Sequence, residues 1–257
     1  MVCADESRSP ILRLMLLKSL LAPRIRLKSR DYRPEIMDQP WLNRDKHRCA
    51  LAGLRRLNLA SGVCHQIFKQ LTAYCYSRKL SSLRVLDIAS GGGDVAFGVW
   101  KLAQKRGLEL RILGLDVSAT ACEYATDQCH PAGGSIAFDQ CDVLCESIPD
   151  GFDIVMCSLF LHHLTVDQAS NLLRKMADAG RLMLANDLRR SATGYLLAQL
   201  ACRMLTTSPV VRHDGPQSVA NAYTVSEMRT LCVAAGLADA TVHRAWPWRL
   251  MVVRQRD

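Results

Sequence analysis

The sequence has no long apolar run. Its longest apolar stretch near the start, residues 10–22, is interrupted by Arg13 and Lys18. A membrane-spanning helix needs about 20 predominantly apolar residues, and a secretory signal needs an unbroken apolar region before a small-residue cleavage site. We therefore expect a cytoplasmic protein with at most a weak membrane-surface contact, made through an amphipathic N-terminal extension.

Paired cysteines are also missing. The chain has 11 cysteines, an odd number, and none of them forms a Cys-x-x-Cys pair. Many lie within apolar runs, as Cys157 does, which is typical of buried reduced thiols. Cys141 and Cys145 precede the His162-His163 pair, but their spacing differs from that of structural zinc sites. The sequence therefore predicts no metal site.

A dense basic surface is the third absence. The formal net charge is +9, and the first 36 residues carry eight basic and four acidic side chains. The rest of the chain is only mildly basic, and no cluster of Lys and Arg with interleaved aromatic residues occurs. Nucleic-acid-binding proteins usually carry such a patch. We therefore expect no nucleic-acid partner.

The regular alternation of strand and helix patterns predicts the fold. The 257 residues suit one α/β domain with appendages. Short apolar runs alternate with helical patterns, which indicates βαβ units and a parallel sheet with helices on both faces. We predict a basic extension over residues 1–33, a helical cap over 34–80 and an α/β domain over 81–257. A mostly helical insert interrupts this domain at residues 191–223.

The most informative segment is residues 84–94. A buried strand is predicted over 85–88, followed by a tight glycine turn and a helix N-terminus, which together bring backbone N–H groups to a ligand. Gly91, Gly93 and Ala96 also fit the dinucleotide fingerprint, so the glycine spacing alone leaves the ligand open. Asp87 decides between the alternatives, because a carboxylate here disfavours a pyrophosphate and favours a positively charged ligand.

This segment resembles motif I of the class I S-adenosylmethionine (SAM) methyltransferases, an acidic residue followed by x-Gly-x-Gly-x-Gly. Here it reads Asp87-Ile-Ala-Ser-Gly-Gly-Gly93, with Ala89 in place of the first glycine. The resemblance covers about residues 80–255. It implies SAM as the cofactor and a doubly wound, mostly parallel sheet of seven strands with an antiparallel seventh strand.

Acidic residues lie at or just beyond the ends of three successive predicted strands: Asp87, Asp116 and Asp142. Open parallel sheets bind ligands at the carboxyl ends of their strands. The Asp116 carboxylate can accept hydrogen bonds from both hydroxyls of a ribose. The resemblance implies that Asp142 and the backbone N–H of Val143 bind the adenine. The cofactor-binding residues predicted in this way are Asp87, Ala89, Gly91, Gly93, Asp116, Val117, Asp142, Val143 and Ser158.

The predicted fourth strand is followed by His162 and His163. This arrangement resembles the fourth motif of the same family, as it occurs in the ubiquinone and menaquinone C-methylase group. Imidazole titrates near neutral pH, so either histidine is a candidate for removing a proton from the acceptor. The alternative is that one of them caps the following helix or packs in the core.

The insert at residues 191–223 is predicted to select the acceptor. Its apolar side chains, including Leu200 and Met204, and its Tyr223 are expected to form a roof over the substrate. His213 lies beside Asp214 in a predicted loop and is a further candidate acid or base. The predicted catalytic residues are therefore His162, His163 and His213.

The run at residues 34–40 is similar to a bacterial group of these enzymes that is often associated with polyketide-type biosynthesis. We expect residues 1–30 to be dispensable for cofactor binding. The expected function is SAM-dependent methyl transfer to oxygen or carbon of a small, fairly apolar acceptor. The alternatives are an oxidoreductase that uses a nicotinamide cofactor and a regulatory protein that binds SAM without turnover.

Overall fold

A single seven-stranded sheet organises the computed structural model, which describes residues 27–39 and 41–256. The strands are β1 (Ser82–Ile88), β2 (Glu109–Asp116), β3 (Ile136–Gln140), β4 (Phe152–Ser158), β5 (Gly180–Leu188), β6 (Thr241–Ala245) and β7 (Arg249–Gln255). Their spatial order is β3-β2-β1-β4-β5-β7-β6. Strand β7 runs antiparallel to both of its neighbours, and the other neighbouring pairs are parallel. The predicted doubly wound, mostly parallel sheet with an antiparallel seventh strand is confirmed.

Helices cover both faces of this sheet. They are α1 (Arg44–Ser61), α2 (Val63–Arg78), α3 (Asp94–Gln104), α4 (Ala119–Cys129), α5 (Val166–Ala179), α6 (Ala192–Leu205), α7 (Pro209–Asn221) and α8 (Val225–Ala234). Helices α1 and α2 form the predicted N-terminal pair, and Gly62 separates them with a φ of +66°. A left-handed conformation of this kind ends a helix at low steric cost in glycine.

Alternate residues of each strand pack on opposite faces of the sheet. Leu86 of β1 lies in one buried cluster with Leu172 of α5 and Met228 of α8. Val85, its neighbour in the chain, lies in the other cluster with Ile67 of α2. This alternation follows from the two-residue period of a strand. Both faces of the sheet are therefore buried, and the strand ends are held on a well-packed platform.

The strand order reverses at β1, which pairs with β2 on one side and with β4 on the other. Register pairs Ile88 of β1 with Cys157 of β4, and Ser158 of β4 with Asn186 of β5. The carboxyl ends of three central strands therefore meet at one edge. In doubly wound sheets, ligands bind at this kind of switch point.

One buried arginine joins the helical pair to the sheet. Arg249 of β7 is 4% exposed and donates hydrogen bonds to Asn186 Oδ1 (3.0 Å), Asn58 Oδ1 (3.2 Å) and Ser61 Oγ (2.9 Å). Burial lowers the pKa of its guanidinium to about 10. The end of α1 is thus fixed to β5 and β7 through one side chain.

The insert after β5 consists of helices α6 and α7. Residues 213–216, predicted as a loop, lie inside α7, and this prediction is wrong. The local Gly-Pro signal is overridden by packing, because most of the last two turns of α7 is buried, Pro216 included. Ser208 caps the helix, and Pro209 occupies its first turn.

The end of the predicted basic extension packs against the α/β domain. Arg30 donates hydrogen bonds from Nη2 to the carbonyls of His162 (2.9 Å) and Leu164 (2.6 Å). Its guanidinium carbon lies 4.1 Å from the centre of the Tyr223 ring. Residues 1–26, to which most of the predicted extension belongs, lie outside the described residues. Among the described helices, none combines the length and the apolar character that crossing a membrane requires.

Replacing Arg249 by alanine is expected to lower the free energy of unfolding by about 2–4 kcal/mol, because two buried acceptors and one partly buried acceptor lose a charged donor. Chemical denaturation measures this change. The matched control is Arg254→Ala, which removes a surface pair with Asp239 and is expected to cost less than about 1 kcal/mol. Equal losses in the two variants would contradict the role of Arg249.

The contacts of Arg30 indicate which part of residues 1–30 matters for the stability of the fold. A chain shortened by residues 1–26 is expected to keep its thermal stability. A chain shortened by residues 1–30 is expected to melt at a lower temperature, because the carbonyl groups of His162, Leu164 and Asn221 lose a donor. Thermal unfolding of both chains, with Arg30→Ala as a third sample, tests this. Identical melting of all three would show that Arg30 is not needed.

Candidate functional site

A sharp turn follows β1 at the switch point. Gly91 and Gly93 have φ values of +53° and +70°, and Ala89 has +53°. Directly after β4, Leu159 has +58°. A residue other than glycine in this region costs about 1–2 kcal/mol, and such strain tends to occur at functional sites. Both strands therefore end in a strained residue at the predicted cofactor site.

Asp116, at the end of β2, is oriented by backbone donors. Its Oδ2 accepts the N–H of Gly91 at 2.8 Å, and its Oδ1 accepts the N–H of Ser118 at 2.9 Å. Burial raises the pKa of the carboxyl, and these hydrogen bonds oppose that shift. A carboxylate has about four acceptor positions, so Asp116 retains capacity for further donors such as hydroxyl groups.

Asp87 is the least satisfied acid of the site. It is 1% exposed, and its Oδ2 has no hydrogen-bond partner among the described residues. Burial raises the pKa of this carboxyl well above its usual range, and repulsion from Asp94 and Asp116 adds to the shift. The hydroxyl of Ser158, at the end of β4, is also buried without a partner in the described part of the chain. Buried polar atoms are normally paired, so these two fit a site that a polar ligand completes.

The residues predicted to surround an adenine lie past the ends of β2 and β3. Val117 is 63% exposed, whereas Val143 is buried. Asp142 Oδ1 accepts the N–H of Leu144 at 3.0 Å, and a hydrogen bond with the Cys145 side chain contributes most to lowering the pKa of Asp142. The loops that follow β2 and β3 are adjacent, because these two strands pair in parallel.

The buried carboxylate of Asp187, near the end of β5, positions His162. Asp187 Oδ1 lies 2.6 Å from His162 Nδ1, and Oδ2 accepts the backbone N–H of His162 at 3.0 Å. Burial opposes ionisation of Asp187, but the charge and the hydrogen bond of His162 lower its pKa overall. Because an ionised carboxylate only accepts, Nδ1 of His162 donates to Asp187, and Nε2 lies on the side of Glu35.

His163 has a similar partner from the N-terminal segment. Its Nδ1 lies 2.6 Å from Asp38 Oδ2, and the two histidine rings are 4.2 Å apart between centres. Burial would lower the pKa of His163, but Glu35 and Asp38 raise it to about 9. Both histidines predicted from the sequence therefore lie in one buried acid–base cluster.

Glu35 completes this cluster from the opposite side. Its Oε1 is 3.7 Å from His162 Nε2, and its Oε2 is 3.9 Å from His163 Nε2. Burial raises the pKa of its carboxyl. Glu35 and Asp38 were not predicted from the sequence. The acidic residues of the run at 34–40 were the available signal, but only the tertiary fold shows that they face the histidines.

Helix α7 holds the segment that carries these two acids. The Asp214 carboxylate accepts the N–H groups of Ile36 (3.1 Å) and Met37 (2.9 Å). The Asn221 amide donates to the carbonyl of Arg33 at 2.9 Å. The insert therefore contributes by fixing the backbone around Glu35.

The residues predicted in the insert occupy other places. The Tyr223 ring is buried, and its hydroxyl donates to the Leu164 carbonyl at 3.3 Å. Leu200 and Met204 are 55% and 73% exposed on α6. The His213 side chain is 61% exposed and pairs with Asp214. Tyr223 thus packs in the core beside the turn after β4, and the hydrogen bond of His213 joins it to Asp214 rather than to the two clustered histidines.

Two curated relatives are similar to this chain, and residues 85–181 match a family model described as a methyltransferase domain. A ubiquinone biosynthesis O-methyltransferase of Methylococcus capsulatus is 29% identical over 140 residues, covering 52% of this chain and 56% of that protein. A ubiquinone/menaquinone biosynthesis C-methyltransferase of Pseudomonas putida is 26% identical over 200 residues, covering 72% and 77%. The chain thus spans only about half the length of the first of these relatives.

Solved structures share the fold. A plantazolicin methyltransferase, bound to a desmethyl analogue and S-adenosylhomocysteine, superposes with a TM-score of 0.61 at 14% identity, covering 94% of this chain and all of that chain. Human N-acetylserotonin methyltransferase in complex with SAM gives 0.50 at 18% identity, covering 67% and 47%. At these identities the likeness concerns the fold alone.

Replacing Asp87 by asparagine is expected to stabilise the ligand-free protein. Because the folded-state pKa of Asp87 is raised, the folded protein binds the proton more tightly, and wild-type stability declines as the pH rises through that pKa. The variant lacks this loss and is expected to melt roughly 2–4 °C higher near neutral pH, the shift that about 1 kcal/mol produces. Thermal unfolding at pH values from about 4 to about 8 measures it. A difference in melting temperature between variant and wild type that shrinks as the pH rises would contradict a raised pKa for Asp87.

Proposed function

We propose that this chain, which belongs to the class I SAM-dependent methyltransferases, transfers a methyl group from SAM to a small, fairly apolar acceptor. The observation that carries the proposal is the buried carboxylate of Asp87, whose Oδ2 has no partner among the described residues at the switch point, beside a turn of positive φ. A buried acid without a partner is costly unless a cationic or donating ligand completes it. The methionyl end of SAM offers both an ammonium group and a sulfonium.

The remaining cofactor contacts follow the order of the strands. Asp87, Ala89, Gly91 and Gly93 would hold the methionyl end. Asp116, already oriented by two backbone N–H groups, would accept the ribose hydroxyls. The exposed Val117 would lie against the adenine, with Asp142 and Val143 at its edge and Ser158 near the methyl group.

Methyl transfer requires the protein mainly to align the acceptor with the methyl group of SAM. SAM supplies an electrophilic methyl group on a positively charged sulfur, and displacement requires the acceptor atom to lie in line with it. Positioning and water exclusion supply much of the acceleration in reactions of this type. Where the acceptor must first lose a proton, His162 is suited to assist, because Asp187 holds its Nδ1 and leaves Nε2 free to face the acceptor.

The acid–base cluster favours an acceptor with a weakly acidic hydroxyl or carbon. Two imidazoles and three carboxylates, those of Glu35, Asp38 and Asp187, lie together there. The similar proteins of M. capsulatus and P. putida are named for O- and C-methylation in quinone biosynthesis. A phenolic or enolic acceptor of this chemistry therefore fits the cluster. The segment at residues 34–39 would form the wall next to the acceptor.

Two alternatives give different binding results. A nicotinamide-dependent oxidoreductase would bind NADH in preference to SAM, and Asp87 argues against this because it would lie beside the pyrophosphate. A regulatory protein would bind SAM without turnover. Calorimetric titration with SAM, S-adenosylhomocysteine and NADH separates the first alternative, and release of S-adenosylhomocysteine with a panel of phenols and quinols separates the second.

The Asp87→Asn variant, which is expected to melt at a higher temperature without ligand, also tests the proposed contact with SAM. The variant that is more stable without ligand is expected to bind SAM more weakly by about 1–3 kcal/mol, because a charge-assisted interaction is lost. Calorimetry on the folded variant measures this change. Unchanged SAM affinity would remove Asp87 from the cofactor site.

His162→Ala is expected to lower the single-turnover rate about 10²-fold or more while leaving SAM affinity nearly unchanged. Asp187→Asn is expected to act in the same direction, because it disturbs the tautomer of His162. The control is His243→Ala, which changes an exposed histidine of β6. Near wild-type rates in His162→Ala and His163→Ala would leave positioning as the whole mechanism.

A further inference from the structure

The cluster at the end of β4 contains three metal-ligating groups that the proposed reaction does not require together. We call Glu35, His162 and His163 the buried triad. Their donor atoms all lie within 4.8 Å of one another. Glu35 and His162 are almost fully buried, with side chains 5% and 3% exposed, and the side chain of His163 is 18% exposed. Glu35 lies outside residues 85–181, the range of the family match, whereas His162 and His163 lie within it.

Both imidazoles of the buried triad are oriented as metal ligands usually are. Asp187 binds Nδ1 of His162, and Asp38 binds Nδ1 of His163, each at 2.6 Å. Histidines that bind metals typically donate the opposite ring N–H to a carboxylate, which fixes the tautomer and makes the free nitrogen more basic. In the triad, each Nε2 is thereby directed toward a Glu35 oxygen.

The distances suit a shared ion better than direct hydrogen bonds. The separations of 3.7 and 3.9 Å between Nε2 and Oε atoms exceed hydrogen-bond length. Ligand atoms about 2.0–2.2 Å from one Zn²⁺ ion lie roughly 3–4 Å apart, depending on the angle between them. Small side-chain rotations would therefore bring all three donors to one ion.

The charge balance of the cluster points in the same direction. The buried carboxylates of Glu35 and Asp187 and the half-exposed carboxylate of Asp38 lie around two imidazoles. Arg30 and His47 are further basic groups that interact electrostatically with these acids, Arg30 with Asp187 and His47 with Asp38. Buried charges need pairing or metal coordination, so added positive charge is favourable there.

We propose that the buried triad binds a divalent first-row transition metal, with Zn²⁺ as the reference ion. Two imidazole nitrogens and one carboxylate oxygen form a donor set that suits such ions, whereas Mg²⁺ and Ca²⁺ prefer oxygen ligands throughout. Three protein ligands leave at least one coordination position open. We assign that open position to an oxygen atom of the acceptor, and this assignment rests on the proposed function. In the metal-bound protein, Nε2 of each histidine is a metal ligand. His162→Ala is therefore expected to lower the methyl-transfer rate whether His162 acts as a base or as a ligand.

The binding test uses the full chain without SAM or acceptor. The protein is treated with a chelator, dialysed and titrated with Zn²⁺ by calorimetry, with Mg²⁺ as the comparison ion. We expect one Zn²⁺ per chain with a dissociation constant in the micromolar range or below, and no comparable Mg²⁺ binding. Glu35→Gln and His163→Ala are each expected to weaken Zn²⁺ binding at least tenfold, by analogy with the roughly 10–100-fold loss caused by changing a residue that orients a ligand.

Two controls address other zinc-binding groups. His243→Ala removes an exposed histidine and Cys145→Ser removes an exposed thiol, and both are expected to leave the affinity unchanged. Thermal unfolding and SAM titration show whether each variant remains folded. Co²⁺ bound in place of Zn²⁺ is expected to give visible d–d absorption that Glu35→Gln alters.

Absence of Zn²⁺ binding, or binding that Glu35→Gln and His163→Ala both leave intact, would overturn the proposal. The three side chains of the buried triad would then exchange protons with one another and bind no metal. This failure is distinct from failure of the proposed function. Protein that methylates an acceptor in the presence of chelator would retain the proposed function and refute the assignment of the open metal position to the acceptor. Zn²⁺ binding by the buried triad in a protein that does not bind SAM would retain the metal site and refute the proposed function.

Discussion

The hydrogen bonds of the Asp187 carboxylate hold together the edge of the sheet on which the site is built. One oxygen accepts the backbone N–H of His162 and the other contacts its imidazole, so the end of β5 fixes both the position and the tautomer of that histidine. Arg30 then binds the carbonyls of the same turn, at His162 and Leu164. The start of the segment that carries Glu35 is therefore attached to the same turn that Asp187 binds.

Two buried acids at this edge have opposite properties. Asp187 is satisfied by its neighbours, and its pKa is lowered overall by the charge and hydrogen bond of His162 in spite of its burial. Asp87 has an oxygen without a partner among the described residues, and burial raises its pKa. The first acid stabilises the folded chain and orients a neighbour, whereas the second weakens the ligand-free fold. Natural proteins commonly accept such a local cost where a ligand binds.

The sequence predicted the parts of the molecule that depend on neighbouring residues. Strand and helix periods and the acids that end β1 and β2 follow from local patterns. The pairing of Asp38 with His163 does not, because it joins segments far apart in the chain and depends on how α7 packs. The same reason explains the error at His213, where burial of α7 overrides a Gly-Pro signal that usually ends a helix.

The dependence of Glu35 on contacts from α7 has a consequence for how such proteins diversify. The proposed cofactor residues lie within one contiguous stretch, residues 87–158, whereas Glu35 and Asp38 come from a distant segment that the insert at 191–223 supports. Asp214 and Asn221 couple these two segments through backbone hydrogen bonds. A recombination event that exchanged only one of them would separate the acids from their supports. The two segments are therefore expected to be inherited as a unit, and acceptor choice to change when both change together.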